Sequence, residues 1–126
     1  MGTELQIEVL GSDVATLDAA LDAAIVEIKR VEDVFTTWRP SPLNRLNKTA
    51  GQGPQECSAE VIQLVSRSLE LGRLTGGAFD VTFWGVGRLW NTKRKPPTVP
   101  TAEEVKEALK LVDFRRVEVN DSAKTI

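Results

Sequence analysis

The sequence predicts an α+β fold in which long amphipathic helices pack on a mainly antiparallel sheet, and three observations carry that expectation. Residues 3–10 alternate apolar Leu5, Ile7 and Val9 with polar Gln6 and Glu8, the period-two pattern of a strand with one buried face. Two later segments place apolar residues at steps of three and four. The last residues alternate again around a turn-forming Asn120-Asp121 pair. Strands at the two ends with helices between them form a sheet whose apolar face the helices cover.

Gly11-Ser12-Asp13 is a turn that ends the opening strand, and Ser12 or Asp13 can cap the next helix. From Val14 the apolar stripe runs through Leu17, Leu21, Ile25, Ile28, Val31 and Phe35, with Asp18, Asp22, Glu27, Lys29, Arg30 and Glu32 between. Trp38-Arg39-Pro40-Ser41-Pro42 breaks this helix, because proline donates no helical hydrogen bond and pushes the residue before it out of the α region. Residues 43–47 read as one short helical turn, and Gly51-Gln52-Gly53-Pro54 as a polar loop. Ser58 then caps a second helix with an inward stripe of Val61, Ile62, Leu64, Val65, Leu69 and Leu71, stopped by Gly76-Gly77, where a left-handed backbone costs least. Periodicity leaves residues 81–90 between helix and strand. A basic, proline-rich connection comes next. Thr101-Ala102-Glu103-Glu104 is a capping box opening a helix with Val105, Leu109 and Val112 inward. Arg116-Val117-Glu118-Val119 alternates as a strand, and Lys124-Thr125-Ile126 begins a returning one. A hairpin cut in its second strand leaves unpaired edge groups, so these residues are expected to be the front portion of a longer protein.

Composition bounds the chemistry. With 126 residues, 41% hydrophobic and 27% charged, the chain is in the globular class and long enough for one domain. One cysteine, Cys57, rules out an internal disulfide, and the absence of histidine excludes Ser-His-Asp, Cys-His and histidine-bearing zinc sites within these residues. Cys57 itself is expected to be a packing residue. A net charge of −2 and a pI near 5.2 give no general pull toward nucleic acid, and no nucleic-acid partner is expected. The first ten residues lack the basic and apolar regions of a signal peptide, so either the protein is cytoplasmic or an exporting segment has been removed.

Two segments could carry chemistry. In Leu74-Thr75-Gly76-Gly77-Ala78-Phe79-Asp80 the glycines let backbone approach a ligand, and Asp80 could hold a metal, a ribose hydroxyl or a base edge. The structural alternative is a helix stop with Asp80 capping the adjoining segment. It is not a dinucleotide fingerprint, because the glycines come after a helix instead of opening one. The second segment runs from Thr37 through Trp38, Arg39 and Arg45 to Asn47. There an aromatic ring beside two arginines could stack a planar group and hold phosphate oxygens, or simply cover the edge of the core. Trp84 and Trp90 read as core, and Lys93-Arg94-Lys95 as a solvated charge run.

These pieces agree with one family in order and spacing. Met1-Gly2-Thr3 before a strand, residues 32–40 at the end of the long helix, Ser41-Pro42-Leu43-Asn44-Arg45-Leu46-Asn47, the Thr75-Gly76-Gly77-Ala78-Phe79-Asp80 run and Leu89-Trp90 together resemble the amino-terminal part of the ApbE-type FAD:protein FMN transferases. The Thr-Gly-Gly-Ala-Phe-Asp run is the most specific of them, and the resemblance covers essentially the whole chain. It implies an enzyme that takes FAD as substrate, uses Mg2+, and transfers FMN to a threonine or serine hydroxyl of a target protein with release of AMP. It also implies an exported protein, periplasmic or a lipoprotein anchored to the membrane through a removed leader.

Position by position, Met1 matches a residue that contacts the flavin. Trp38 takes the place of an aromatic, commonly tyrosine, that packs against FAD. Ala78, Phe79 and Asp80 match the segment lining the FAD pocket. Pro42 and Asn44 depart from the family's commoner wording. Catalytic residues stay unassigned. The family's glycine-rich Asp segment and its later Asp/Thr metal ligands belong to the carboxy-terminal part, so no metal ligand is assigned here. Residues 1–126 are expected to be the amino-terminal portion of a single flavin-transferase domain, incomplete and inactive alone. Two alternatives stand beside this reading: an FAD-binding protein that hydrolyses FAD with Mg2+, and a non-enzymatic α+β interaction module in which the glycine and tryptophan features are purely structural.

Overall fold

The computed structural model describes residues 4–90, 96, 97 and 99–126, and the chain divides between Gly53 and Pro54 into two compact units. Its described elements are all helical. In the first unit α1 spans Val14–Phe35 and α2 spans Pro42–Thr49; in the second, α3 spans Ala59–Leu74, α4 Trp84–Gly87 and α5 Ala102–Leu109, with a 3-10 turn after them at Phe114–Arg116.

The expected antiparallel sheet is absent among the described residues, and this corrects the α+β assignment. Residues 4–10 take no regular structure, and Leu10 is 89% exposed. Alternation selects the face a strand would bury, but a strand exists only where a neighbour meets its amides and carbonyls, and residues 4–10 have no such neighbour among the described residues. The alternating run after Asp113 is overridden at its start, because Asp113 caps a 3-10 turn over the first of those residues. What remains of the hairpin is a pair of isolated bridges, Asn120 to Thr125 and Glu56 to Thr125. Gln55 and Ile126 exchange backbone hydrogen bonds of 2.8 and 3.0 Å, and the Cys57 amide donates to the Lys124 carbonyl at 2.9 Å. Lys124 reaches this position with φ of 54°, a left-handed conformation that carries a cost for a residue with a side chain.

In the first unit, the Asp13 carboxylate accepts from the Thr16 amide at 3.2 Å and from its hydroxyl. The hydroxyl bond is the larger cause that holds the Asp13 carboxyl below its ordinary range. Leu17, Leu21, Ile28 and Phe35 of α1 are half-buried, whereas Ile25 and Val31 of the expected stripe are exposed. α2 packs on α1. Its cap is Ser41, with Pro42 in the first turn, where a missing amide costs nothing.

The second unit holds the core. Val61, Ile62, Val65 and Leu69 of α3, Val86 of α4 and Ala108 of α5 are buried, and burial of each larger aliphatic side chain contributes about 1.5–3 kcal/mol. Leu64 and Leu109, expected inward, are exposed, and Ala108 takes the inward place on α5. α4 packs on α5, and α3 packs on the 3-10 turn. Thr101 and Glu104 form the expected capping box, with the Thr101 amide donating to the Glu104 carboxylate at 2.7 Å and the Glu104 amide to the Thr101 hydroxyl at 3.3 Å.

Candidate functional site

Gly76 and Gly77 are a helix stop with a second purpose. Gly76 has φ of 60° and Gly77 of 88°, values open to glycine at little cost. The Gly77 amide reaches back to the Gly72 carbonyl at 2.8 Å and the Gly76 amide to the Arg73 carbonyl at 3.2 Å, the two bonds of a Schellman motif. Such a stop ordinarily has an apolar contact between its two ends, but here both ends are glycine. The Phe114 ring supplies that contact: a Cβ at Gly72 would lie 2.9 Å from Phe114 Cγ, and one at Gly77 would lie 3.8 Å from Phe114 Cε1.

Beyond the stop, the Thr75 hydroxyl donates to the Leu71 carbonyl at 2.8 Å and accepts from the Phe79 amide at 3.0 Å, which turns the chain so that Asp80 faces the 3-10 turn. Asp80 Oδ1 accepts from the Thr82 amide at 2.8 Å and the Thr82 hydroxyl at 2.6 Å. Asp80 Oδ2 accepts from the Phe114 amide at 2.9 Å, and the Thr82 oxygen in turn accepts from the Asp113 amide at 2.9 Å. Asp113 Oδ1 closes the turn, accepting from the Arg115 amide at 3.1 Å and from Arg115 Nε at 2.7 Å. That side-chain bond holds the Asp113 carboxyl below its usual range and the Arg115 guanidinium above its own.

Together Gly76, Gly77, Asp80, Val112, Asp113, Phe114 and Arg115 line an open recess of about 370 Å³, within the size range of small-molecule sites. Its chemistry is mixed, with bare backbone at the glycines, two carboxylates already engaged in hydrogen bonds, one aromatic ring and one guanidinium.

Of the expected site residues, the structure brings Asp80 into this recess and places Ala78 and Phe79, both exposed, on the turn leading to it. Trp38 belongs to the first unit, where it is 72% exposed on a well-braced loop. The Trp38 amide donates to the Thr36 hydroxyl at 3.3 Å, Ser41 Oγ donates to the Thr36 carbonyl at 2.5 Å, and Asn44 Nδ2 donates to the Thr37 carbonyl at 3.0 Å. Arg39 is ion-paired with Asp33, so that arginine is partly spent on the helix end. Met1 and the Lys93-Arg94-Lys95 run lie outside the described residues. Trp84 and Trp90, read from sequence as core, are exposed. The sequence reading missed Thr82, Asp113, Phe114 and Arg115. For Thr82 a signal existed, since Asp-x-Thr is the spacing at which an aspartate closes a turn on the residue two further on.

Among the described residues no group of three or more aspartate, glutamate or cysteine side chains is placed to hold a metal ion. Both oxygens of Asp80 and Oδ1 of Asp113 already accept hydrogen bonds, from amides, a hydroxyl and Arg115.

A family model described as the ApbE family matches residues 1–126, and the chain belongs to that family. Three curated relatives, each named FAD:protein FMN transferase, are similar to it. The protein of Treponema pallidum is 33% identical, over 82% of this chain and 29% of its own length. That of Vibrio cholerae is 30% identical over 100% and 40%, and that of Klebsiella pneumoniae is 28% identical over 94% and 35%. Among solved structures, the ApbE protein of Thermotoga maritima superposes with a TM-score of 0.78 at 25% identity, over 86% of this chain and 36% of that one. The chain therefore spans between 29% and 40% of the length of these relatives.

Proposed function

We propose that this chain is the amino-terminal portion of an FAD:protein FMN transferase, one that takes FAD and passes its FMN half to a threonine or serine hydroxyl of a target protein, releasing AMP. The observation that supports this most is the family match over residues 1–126, joined by relatives that carry that name. The recess gives the reading a physical footing. Gly76 and Gly77 let a planar or phosphate-bearing ligand approach bare backbone, since no Cβ stands in the way. Arg115 is bound to Asp113 through Nε, which leaves its two Nη groups for an anionic oxygen such as those of a diphosphate. Phe79 and Trp38 offer exposed rings, each in its own unit, for stacking.

Mg2+ enters this reading only through the family, where it would neutralise the diphosphate as it is cleaved. The described residues of this chain do not fit a metal cage, and its own contribution is to bind and orient the substrate. The reading carries with it an exported location, periplasmic or lipid-anchored, for which cell fractionation is the test.

Incubating the full-length protein with FAD, Mg2+ and a threonine-bearing target should add an FMN group, the mass of FMN less one water, to the target and release AMP. Free FMN with an unmodified target would point to FAD hydrolysis instead, and no consumption of FAD would overturn the proposal.

A further inference from the structure

We infer that Thr82 is a positioning residue of the recess, acting through Asp80 to fix the Phe114 turn over the Gly76-Gly77 stop; its role in substrate binding rests on the flavin reading above. The argument starts from how Asp80 is used. A carboxylate offers about four acceptor directions. Oδ1 is taken by the amide and the hydroxyl of Thr82, and Oδ2 accepts from the Phe114 amide. Asp80 thus has little capacity left to act as a ligand, and most of its hydrogen bonding is structural.

Thr82 is the hinge of the arrangement. Its hydroxyl hydrogen goes to Asp80 at 2.6 Å, and its oxygen receives the Asp113 amide at 2.9 Å. One hydroxyl therefore orients the carboxylate and anchors the first residue of the turn at once. The two amides held this way belong to adjacent residues, Asp113 and Phe114, so two successive peptide planes, the one before Asp113 and the one after it, are each held by a hydrogen bond. Those two held planes seat the Phe114 ring on Gly72 and Gly77 and set where the next residue, Arg115, begins. Without the Thr82 hydroxyl the Asp113 amide loses its acceptor and Oδ1 loses a donor, and neither loss is made good by an apolar side chain of the same shape.

The test compares Thr82→Val, which keeps the shape and removes the hydroxyl, with Thr82→Ser, which keeps the hydroxyl. The readouts in the full protein are FAD affinity from flavin fluorescence and amide hydrogen exchange. Thr82→Val should speed exchange at Asp113 and Phe114 by about tenfold or more and weaken FAD binding by about tenfold, leaving Val65 and Leu69 in α3 protected as before. Thr82→Ser should restore both quantities to within about twofold of the parent. Unchanged exchange at Asp113 and Phe114 in Thr82→Val would overturn the latch. Faster exchange with undiminished FAD affinity would overturn its role in the site. If the parent protein itself binds no FAD, the flavin reading falls, and exchange alone then decides for or against the latch.

Discussion

Helix α1 runs for 22 residues without burying any of them, while α3 buries six of its 16. Both start on a side-chain oxygen cap, Asp13 in one case and Ser58 in the other, and both carry apolar residues at helical spacing. What separates them is what each packs against within its own unit. α1 meets the short, polar α2, whose Leu43 and Leu46 reach only half burial. α3 lies in the unit that also buries Val86 and Ala108, and Phe114 closes its end. A periodic pattern decides which face of a helix turns inward, and the neighbours decide how much water leaves that face.

Core truncation gives the widest separation between the two helices. Ile62→Ala in α3, where Ile62 is 2% exposed, should cost about 2–5 kcal/mol in urea denaturation. Ile28→Ala, at a half-buried position of α1, should cost about 1 kcal/mol. Equal costs would mean that α1 is better covered than its exposure indicates.

Next in size is Gly72→Ala. The added Cβ would stand 2.9 Å from Phe114 Cγ, at the root of the ring where a small rotation gives no relief, and should cost about 1–3 kcal/mol. The gain in helix propensity, about 1 kcal/mol, offsets part of that. A thermal melt should therefore show a net loss, and Phe114→Leu in the same chain should return some of it. A melt that rises with Gly72→Ala alone would show that the ring is loosely seated.

Caps should be nearly blind to burial, and they sharpen the comparison from the other side. Ser58→Ala should cost about 1 kcal/mol. Asp13→Ala should lower the melting temperature at least as far, because Ser58 holds the Val61 amide at a longer 3.4 Å than the 3.2 Å between Asp13 and the Thr16 amide. A much larger loss at Ser58 would tie that cap to the core.

The smallest effect is acid sensitivity. The Asp13 carboxyl titrates below its ordinary 3.8 in the folded protein, chiefly through the Thr16 hydroxyl. Its contribution is complete above 3.8 and is lost as pH falls through the folded value. Ser58 does not titrate. Exchange at the Thr16 amide, corrected for intrinsic rate, should lose protection as pH falls below 3.8 and through the lowered folded value, while that at Val61 keeps it.

Local chemistry was the legible part of the sequence. The long helix from Val14 to Phe35, the Ser58 cap, the glycine stop and the capping box at Thr101 all rest on interactions within a few residues, and all are present. The sheet was not legible, because pairing depends on distant partners that period-two alternation cannot supply. The site divides along the same line. Residues 75–80 announce a turn that frees Asp80, but Asp80 meets partners 34 residues away at Phe114, and Thr82 meets Asp113 across 31. Nothing in local spacing names those partners.

That same separation orders the events of folding. The body of α3 needs contacts only from its own turns, so it can form and dissolve on the fast timescale of a helix. The seat of Phe114 on the glycine stop waits until a loop of more than thirty residues has closed, and that closure costs entropy before any contact rewards it. Substitutions at Phe114 or Thr82 should therefore speed unfolding far more than they slow folding, with φ-values near zero, whereas changes within the body of α3 should show the larger values of an early nucleus.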